Sequence, residues 1–125
     1  MLKILILFSC LTGCYAATWS KMDTAREGAF AVAETLDGLE SRRVVALCDE
    51  QNPIVGKCGE NMPLGAYIPL TIILHAAISV ALPPKWREGW QYVSAGIEGG
   101  TVASNWDAGY APFNPSRTKP INYAH

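Results

Sequence analysis

The chain has 125 residues, half of them apolar, with ten Lys plus Arg against eleven Asp plus Glu and a formal charge of −1. That length holds one small domain, and a near-neutral balance with only 17% charged residues argues against a nucleic-acid binder, which needs a clustered basic footprint. The apolar fraction argues against disorder as well, and a mean hydropathy of +0.12 with bunched apolar residues makes membrane association the leading class.

Residues 1–13 read as a lipoprotein-type signal peptide. Lys3 is followed by the apolar run Ile4 to Phe8 and then by Leu11-Thr12-Gly13-Cys14, a cleavage box whose small residues admit a peptidase and whose thiol receives a lipid. Cys14 is the predicted lipidation site. Cleavage after Cys14-Tyr15-Ala16 and an uncleaved anchor are the alternatives, the second disfavoured because the run is too short to span a bilayer.

Residues 14–109 form the predicted domain, an all-α unit made of an amphipathic helix and an apolar antiparallel helical hairpin. From Thr24 to about Leu47 the apolar residues Ala25, Ala29, Val32, Ala33, Leu36 and Leu39 recur on one helical face, opposite Arg26, Glu27, Glu34 and Asp37. The pattern predicts a helix with its apolar side buried and its charged side solvated, capped by Asp23 or Thr24. Gly28 and Gly38 weaken it by about 1 kcal/mol each relative to Ala.

Cys48 and Cys58 remain after removal of Cys10 with the signal and lipidation of Cys14. In an oxidising compartment an even pair is a disulfide candidate, here closing a loop with the turn formers Asn52-Pro53 and Gly56, worth about 2.5 to 3 kcal/mol. Two free thiols are the alternative, and a zinc site lacks ligands.

Leu64 to Leu82 carries no charged residue; as a helix it is about 28 Å long, close to the hydrocarbon thickness. Pro69 falls early enough to kink rather than end it, and Pro83-Pro84 stops it. Gly89 to Trp106 holds one charge, Glu98, and is a plausible second span beside a stronger partner, because Gly96, Gly100 and Ser104 form a small-residue row suited to helix packing. Trp86 and Trp90 flank the predicted turn, with Tyr67, Trp106 and Tyr110 at the opposite interface. With Lys85 and Arg87 on the cytoplasmic side, both termini lie outside. A soluble three-helix domain is the alternative. In such a hairpin His75 and Glu98 fall at similar mid-membrane depth and are expected to pair, as packing glue or as a proton-handling site. Residues 110–125 read as a flexible, Pro-rich tail.

Several of these segments together resemble a family of small uncharacterised membrane proteins of bacteriophages and proteobacteria. Carrying the resemblance are Glu50-Gln-Asn-Pro-Ile-Val-Gly56, the helix ending His75-Ala-Ala-Ile-Ser-Val-Ala-Leu-Pro-Pro, the following Lys-Trp-Arg-Glu-Gly-Trp-Gln-Tyr92, then Gly96-Ile-Glu98 and Ala103-Ser-Asn-Trp106. In that family a helix bearing an Asp, here matched by Asp37, precedes an E-x-N-P-I-x-G turn and a Leu-Pro hairpin. Cys48, Cys58 and Lys57-Cys58-Gly59 depart from its pattern. The resemblance implies membrane residence and no nameable activity.

No phosphate loop, nucleophile elbow or metal-binding His spacing is present. A Ser-His-acid set drawn from Ser79 or Ser94 with His75 and Glu98 lacks an evident oxyanion hole, so no enzyme, no catalytic residue, no cofactor and no metal are expected. The expectation is a membrane lipoprotein of the bacterial envelope with a structural or interaction role, at the inner membrane in preference to the outer. Its partners would be membrane lipids, a second copy or an envelope protein. The alternative is a small intramembrane transport or proton-relay element built on His75 and Glu98.

Overall fold

The computed structural model describes residues 18–110; the signal segment, Cys14 and the Pro-rich stretch from residue 111 lie outside the described residues. The described chain is all-α. Helix α1 spans Lys21–Ala46, α2 Leu64–Ala81 and α3 Pro84–Ala108, with no strand among the described residues. Ser20, rather than Asp23 or Thr24, caps α1: its hydroxyl accepts from the Asp23 N–H while the Asp23 carboxylate accepts from the Ser20 N–H, a reciprocal capping box. Pro69 sits inside α2 without ending it. Pro84 opens α3 at its first position, where a missing N–H costs nothing. Gly109, at φ +91°, terminates α3 in the left-handed conformation.

α1 packs most extensively on α3, less on α2, and α2 touches α3 least. Contacts between Asp23 and Arg87 near the helix starts, and between Asp37 and Asn105 further along, run α1 and α3 parallel, with α2 antiparallel between their ends. The hairpin therefore does not close on itself. α1 is its shared third wall, and the Gly38 backbone lies so close to α2 that an added Cβ would stand 2.6 Å from Ile68.

The polarity of the bundle is inverted relative to a soluble domain. Among the described residues the buried apolar side chains are few, Phe30, Val55 and Val102, whereas Asp23, Glu34, Glu40, Ser41, His75, Ser79, Arg87 and Gln91 are buried. Outward stand Val32, Ile73, Leu74, Val93 and Ile97, each more than half exposed. The expectation of a solvated charged face on α1 is thus corrected: Glu27, Glu34 and Asp37 point inward, and Ala25, Ala29 and Val32 point out. Between Lys21 and Arg42 on α1, along all of α2, and between Glu88 and Asp107 on α3, no exposed residue is charged. These three uncharged outer surfaces have matching heights of about 27 to 32 Å. By length and composition α2, with mean hydropathy 1.8, is long and apolar enough to cross a membrane, and only 11% of it is buried in the bundle.

The α1–α2 connection is a compact loop. Cys48 and Cys58 form a disulfide, with Cα atoms 4.2 Å apart. The Asn52 side chain accepts from the Ile54 N–H, and its carbonyl accepts from the N–H groups of Val55 and Gly56, the self-bonded turn that Asn-Pro favours. Gly56 adopts φ +81°, a left-handed conformation that strains any residue with a Cβ, and a Cβ added to it would also stand 2.7 Å from the Glu60 carboxyl and displace it. The Glu60 carboxyl is held below its usual range by its own backbone N–H and by that of Cys58.

Candidate functional site

The interior positions of α1 follow the 4-3-4-3 spacing of a packed helix seam: 23, 27, 30, 34, 37 and 41. Apart from Phe30 they are Asp, Glu, Glu, Asp and Ser. Matching rows come from α2 (Thr71, His75, Ser79) and α3 (Arg87, Gln91, Ser94, Glu98, Asn105) at intervals of three, four or seven. Polar side chains thus fill a file about 27 Å long from Asp23 to Ser41.

At the end nearest the α2–α3 turn, Arg87 is completely buried. Its Nε donates to the Ser79 carbonyl at 2.8 Å, Nη2 to the Leu82 carbonyl at 3.1 Å and Nη1 to Asp23 Oδ2 at 3.3 Å. The guanidinium therefore bonds carbonyls that the end of α2 leaves without full i+4 helical partners, Ser79 keeping only a long 3.4 Å bond from the Leu82 N–H because Pro83 has none to give, while pairing with α1. This corrects the reading of Arg87 as an exposed turn charge.

One turn along, Glu27 joins all three helices. Its carboxylate is 2.8 Å from His75 Nδ1, accepts from Gln91 Nε2 at 2.9 Å and accepts from the Ser79 hydroxyl. His75 stacks on Phe30 with centroids 3.7 Å apart and on Trp90 at 5.0 Å, and its Nε2 lies 2.5 Å from Ser94 Oγ. Both ring nitrogens are therefore occupied, and the predicted His75–Glu98 pair does not form. The physical reason is register. The chain turns at Leu82–Pro83, not at Lys85–Trp86, because Pro84 already belongs to α3. His75 consequently faces Trp90 to Ser94, one turn short of Glu98. Trp90 packs on His75 inside the bundle instead of marking the interface, while Trp86 and Trp106, 71% and 52% exposed, stand at opposite ends.

Glu98 faces Glu34 and Asp37 of α1 instead. Glu34 is 2% exposed and no donor reaches its Oε1; the neighbouring Thr71 hydroxyl gives its proton to the Tyr67 carbonyl at 3.0 Å. Asp37 accepts from Asn105 Nδ2 at 2.9 Å. Beyond this layer the file opens into a cavity of about 500 Å³ at the loop end, lined by the carboxyls of Glu34, Asp37, Asp49, Glu50 and Glu98 and by no basic side chain. A second, apolar groove of about 430 Å³ runs between α2 and α3 beside His75 and Ser94.

The predicted packing row does not close the hairpin. Gly96, Gly100 and Ser104 are exposed, and a Cβ at either glycine would meet nothing within 4 Å. α3 turns its seam toward α1, and the close helix approach lies elsewhere, between α1 and α2 at Gly38 and Ile68.

Ser94, His75 and Glu27 have the connectivity of a nucleophile, base and orienting acid. The Ser94 hydroxyl, however, also bonds its own helix at the Trp90 carbonyl, 2.7 Å away, and the backbone N–H groups around it are used within α3. That arrangement suits a hydrogen-bonded relay better than acyl transfer, which requires free donors for an oxyanion. No group of three or more His, Cys, Asp or Glu capable of holding a metal ion occurs among the described residues.

Sequence reasoning missed Asp23, Glu27, Arg87 and Gln91 as interior residues, and it named Ser79 and Ser94 beside His75 only with Glu98 as the acid, the place Glu27 takes. Their signal was the seam spacing itself, which marks the inner face whether its residues are apolar or polar. Comparison with protein-family models, with curated proteins and with solved structures found no match to this chain.

Proposed function

We propose that this protein is a membrane-embedded helical bundle whose interior carries protons, or small cations in their place, along the file from Asp23 and Arg87 to Glu34, Glu98 and the acidic cavity. One observation carries the reading: ionisable and hydrogen-bonding side chains fill the inside, while all three outer surfaces are uncharged over one membrane thickness. In water that distribution is unfavourable, since apolar surface stays hydrated and polar groups are desolvated. In lipid it is what stability requires. His75, bonded through both nitrogens, can accept a proton on one and release one from the other to Glu27, the Ser94 hydroxyl giving up its own proton only as it turns from the Trp90 carbonyl and takes another from the Glu98 side of the file, so that no alkoxide forms. This is the intramembrane relay alternative with its acid reassigned from Glu98 to Glu27.

The test is proton entry into vesicles containing purified protein, driven by a potassium-valinomycin potential and read with an enclosed pH dye. Flux should exceed that of empty vesicles at least tenfold and fall to background in Glu34→Gln and His75→Ala. Flux equal to that of empty vesicles, with correctly inserted protein, overturns the proposal. A structural or interaction role in the envelope is the second reading, favoured by the exposed Gly96–Gly100–Ser104 row, to which another membrane helix can pack closely.

A further inference from the structure

We infer that the Cys48–Cys58 disulfide is a redox latch on the loop-end mouth of the file: it holds residues 49–52 across the acidic cavity, and its reduction by a dithiol lets that strap swing out. Of the described loop residues, four consecutive ones, Asp49 to Asn52, line the cavity, and the other walls belong to the helices and to Tyr110. The strap follows Cys48 directly. Both cysteines are exposed, within reach of a reductant, and exposed bridges are the labile ones.

The latch closes on a strained residue. Where α1 ends, the Cys48 N–H donates to the Val45 carbonyl and the Asp49 N–H to the Val44 carbonyl, both at 3.0 Å, the paired bonds of a turn whose left-handed position glycine normally fills. Cys48 stands there with φ +56°, a conformation that costs a residue with a Cβ, and the bridge to Cys58 keeps it so. Residues 52–62 close on themselves around Val55, 1% exposed, whose carbonyl accepts from the N–H groups of Asn61 and Met62 while Asn61 Nδ2 donates to the Pro53 carbonyl. To this folded part the strap is joined by the chain at Asn52, by a long 3.3 Å bond from the Glu50 N–H to the Lys57 carbonyl, and by the disulfide. Its acids meet like charge, since Glu50 lies near enough to Asp37 to repel it and no basic side chain lines the cavity. Cutting the cross-link frees Cys48 to leave the left-handed region and frees the strap's carboxyls to move away from those of the helices.

In the reduction a thiolate of the dithiol attacks one exposed sulfur and its second thiol resolves the mixed disulfide. Two electrons and two protons pass to the protein, leaving two Cys thiols, and the reductant departs as its own disulfide. The consequence for function, faster proton entry from the loop side, rests on the file being the conducting path; the movement of the strap does not.

The experiment compares the full-length protein in neutral detergent micelles in two states, oxidised, or reduced with dithiothreitol and freed of it under nitrogen. Carboxyls are labelled with a water-soluble carbodiimide and glycinamide, and the adducts are located by mass spectrometry. Reduction should raise labelling of Asp37 and Glu98 at least fivefold and leave Glu27, toward the other end of the bundle, unchanged. The double variant Cys48→Ser, Cys58→Ser should label as the reduced protein does, with or without reductant. Equal labelling of Asp37 and Glu98 in the two states overturns the latch. So does a rise at Glu27 as large as that at Asp37, which would mean that the whole bundle had loosened. In the vesicle assay dithiothreitol should raise proton flux at least threefold, and a measurable flux equal in both states overturns the control of conduction. Labelling needs no flux, so raised labelling with background flux in both states sinks only the conduction proposal, and flux with unchanged labelling sinks only this one.

Discussion

Replacing Glu27 by Leu removes the acceptor shared by His75 Nδ1, Ser79 Oγ and Gln91 Nε2. His75 is 4% exposed and the other two are fully buried, so water cannot take the place of the carboxylate. An unsatisfied buried donor costs about 1–3 kcal/mol, and a hydrogen bond to a carboxylate is about twice as strong as one between neutral groups. Because the three losses share one centre they are not additive, and the expected total is about 3–5 kcal/mol, a large part of the about 5–15 kcal/mol that holds a small domain together. Glu27→Gln keeps one carbonyl oxygen and a similar shape, and should cost only about 1–1.5 kcal/mol. Unfolding by sodium dodecyl sulfate in mixed micelles, followed by tryptophan fluorescence, measures both, since Trp90 stacks 5.0 Å from His75. If Leu costs less than about 1 kcal/mol, or no more than Gln, the hydrogen-bonded centre does not hold the three helices together and the argument fails.

Replacing both Cys48 and Cys58 by Ser should lower stability by about 2.5–3 kcal/mol through loop-closure entropy; an unfolding midpoint that ignores reducing agent in the native protein would contradict this. Gly38→Ala should destabilise by about 1–2 kcal/mol, because the clash with Ile68 outweighs the gain of about 1 kcal/mol in helix propensity, whereas Gly96→Ala, with open space around it, should stabilise the monomer slightly in the same denaturation assay. Topology gives a further test. Thr18 and the α2–α3 turn lie at one end of the bundle and the disulfide at the other, while Cys14 is tethered to Thr18 by four residues reaching at most about 14 Å, against a hydrocarbon core of about 30 Å. In a bilayer-spanning bundle a lipidated Cys14 and an oxidised Cys48–Cys58 pair therefore face opposite compartments. With the disulfide outside, the start of α1 lies on the inner side, against the expectation of two outside termini and a lipidated Cys14: a cysteine introduced at Lys85 should react with impermeant maleimide only after permeabilisation, and Cys14→Ser should leave the chain length in cells unchanged; labelling at position 85 in intact cells would reverse the assignment.

The sequence by itself determined the helices. The charge-free stretch from Leu64, the Pro83-Pro84 stop, the 3.6-residue periodicity before Leu47 and the turn chemistry of Asn52-Pro53 with Gly56 are local signals, each expressed within a few residues of its cause. The cysteine pair was legible for the same reason, since the turn formers within a sequence separation of 10 bring the two sulfurs back together. The sequence did not determine which face of each helix is the inside. A face of Ala and Val opposite a face of Glu and Asp has the same periodicity in water and in lipid, and only the burial of Glu34, His75 and Arg87 together decided its direction. Register was also tertiary: placing Pro84 in α3 moved the turn by about three residues, enough to give His75 to Glu27 and Ser94 and to leave Glu98 facing Glu34. Such pairings depend on how three helices share one axis, and a hydrogen bond across 48 residues of chain leaves no trace in the local pattern at either end.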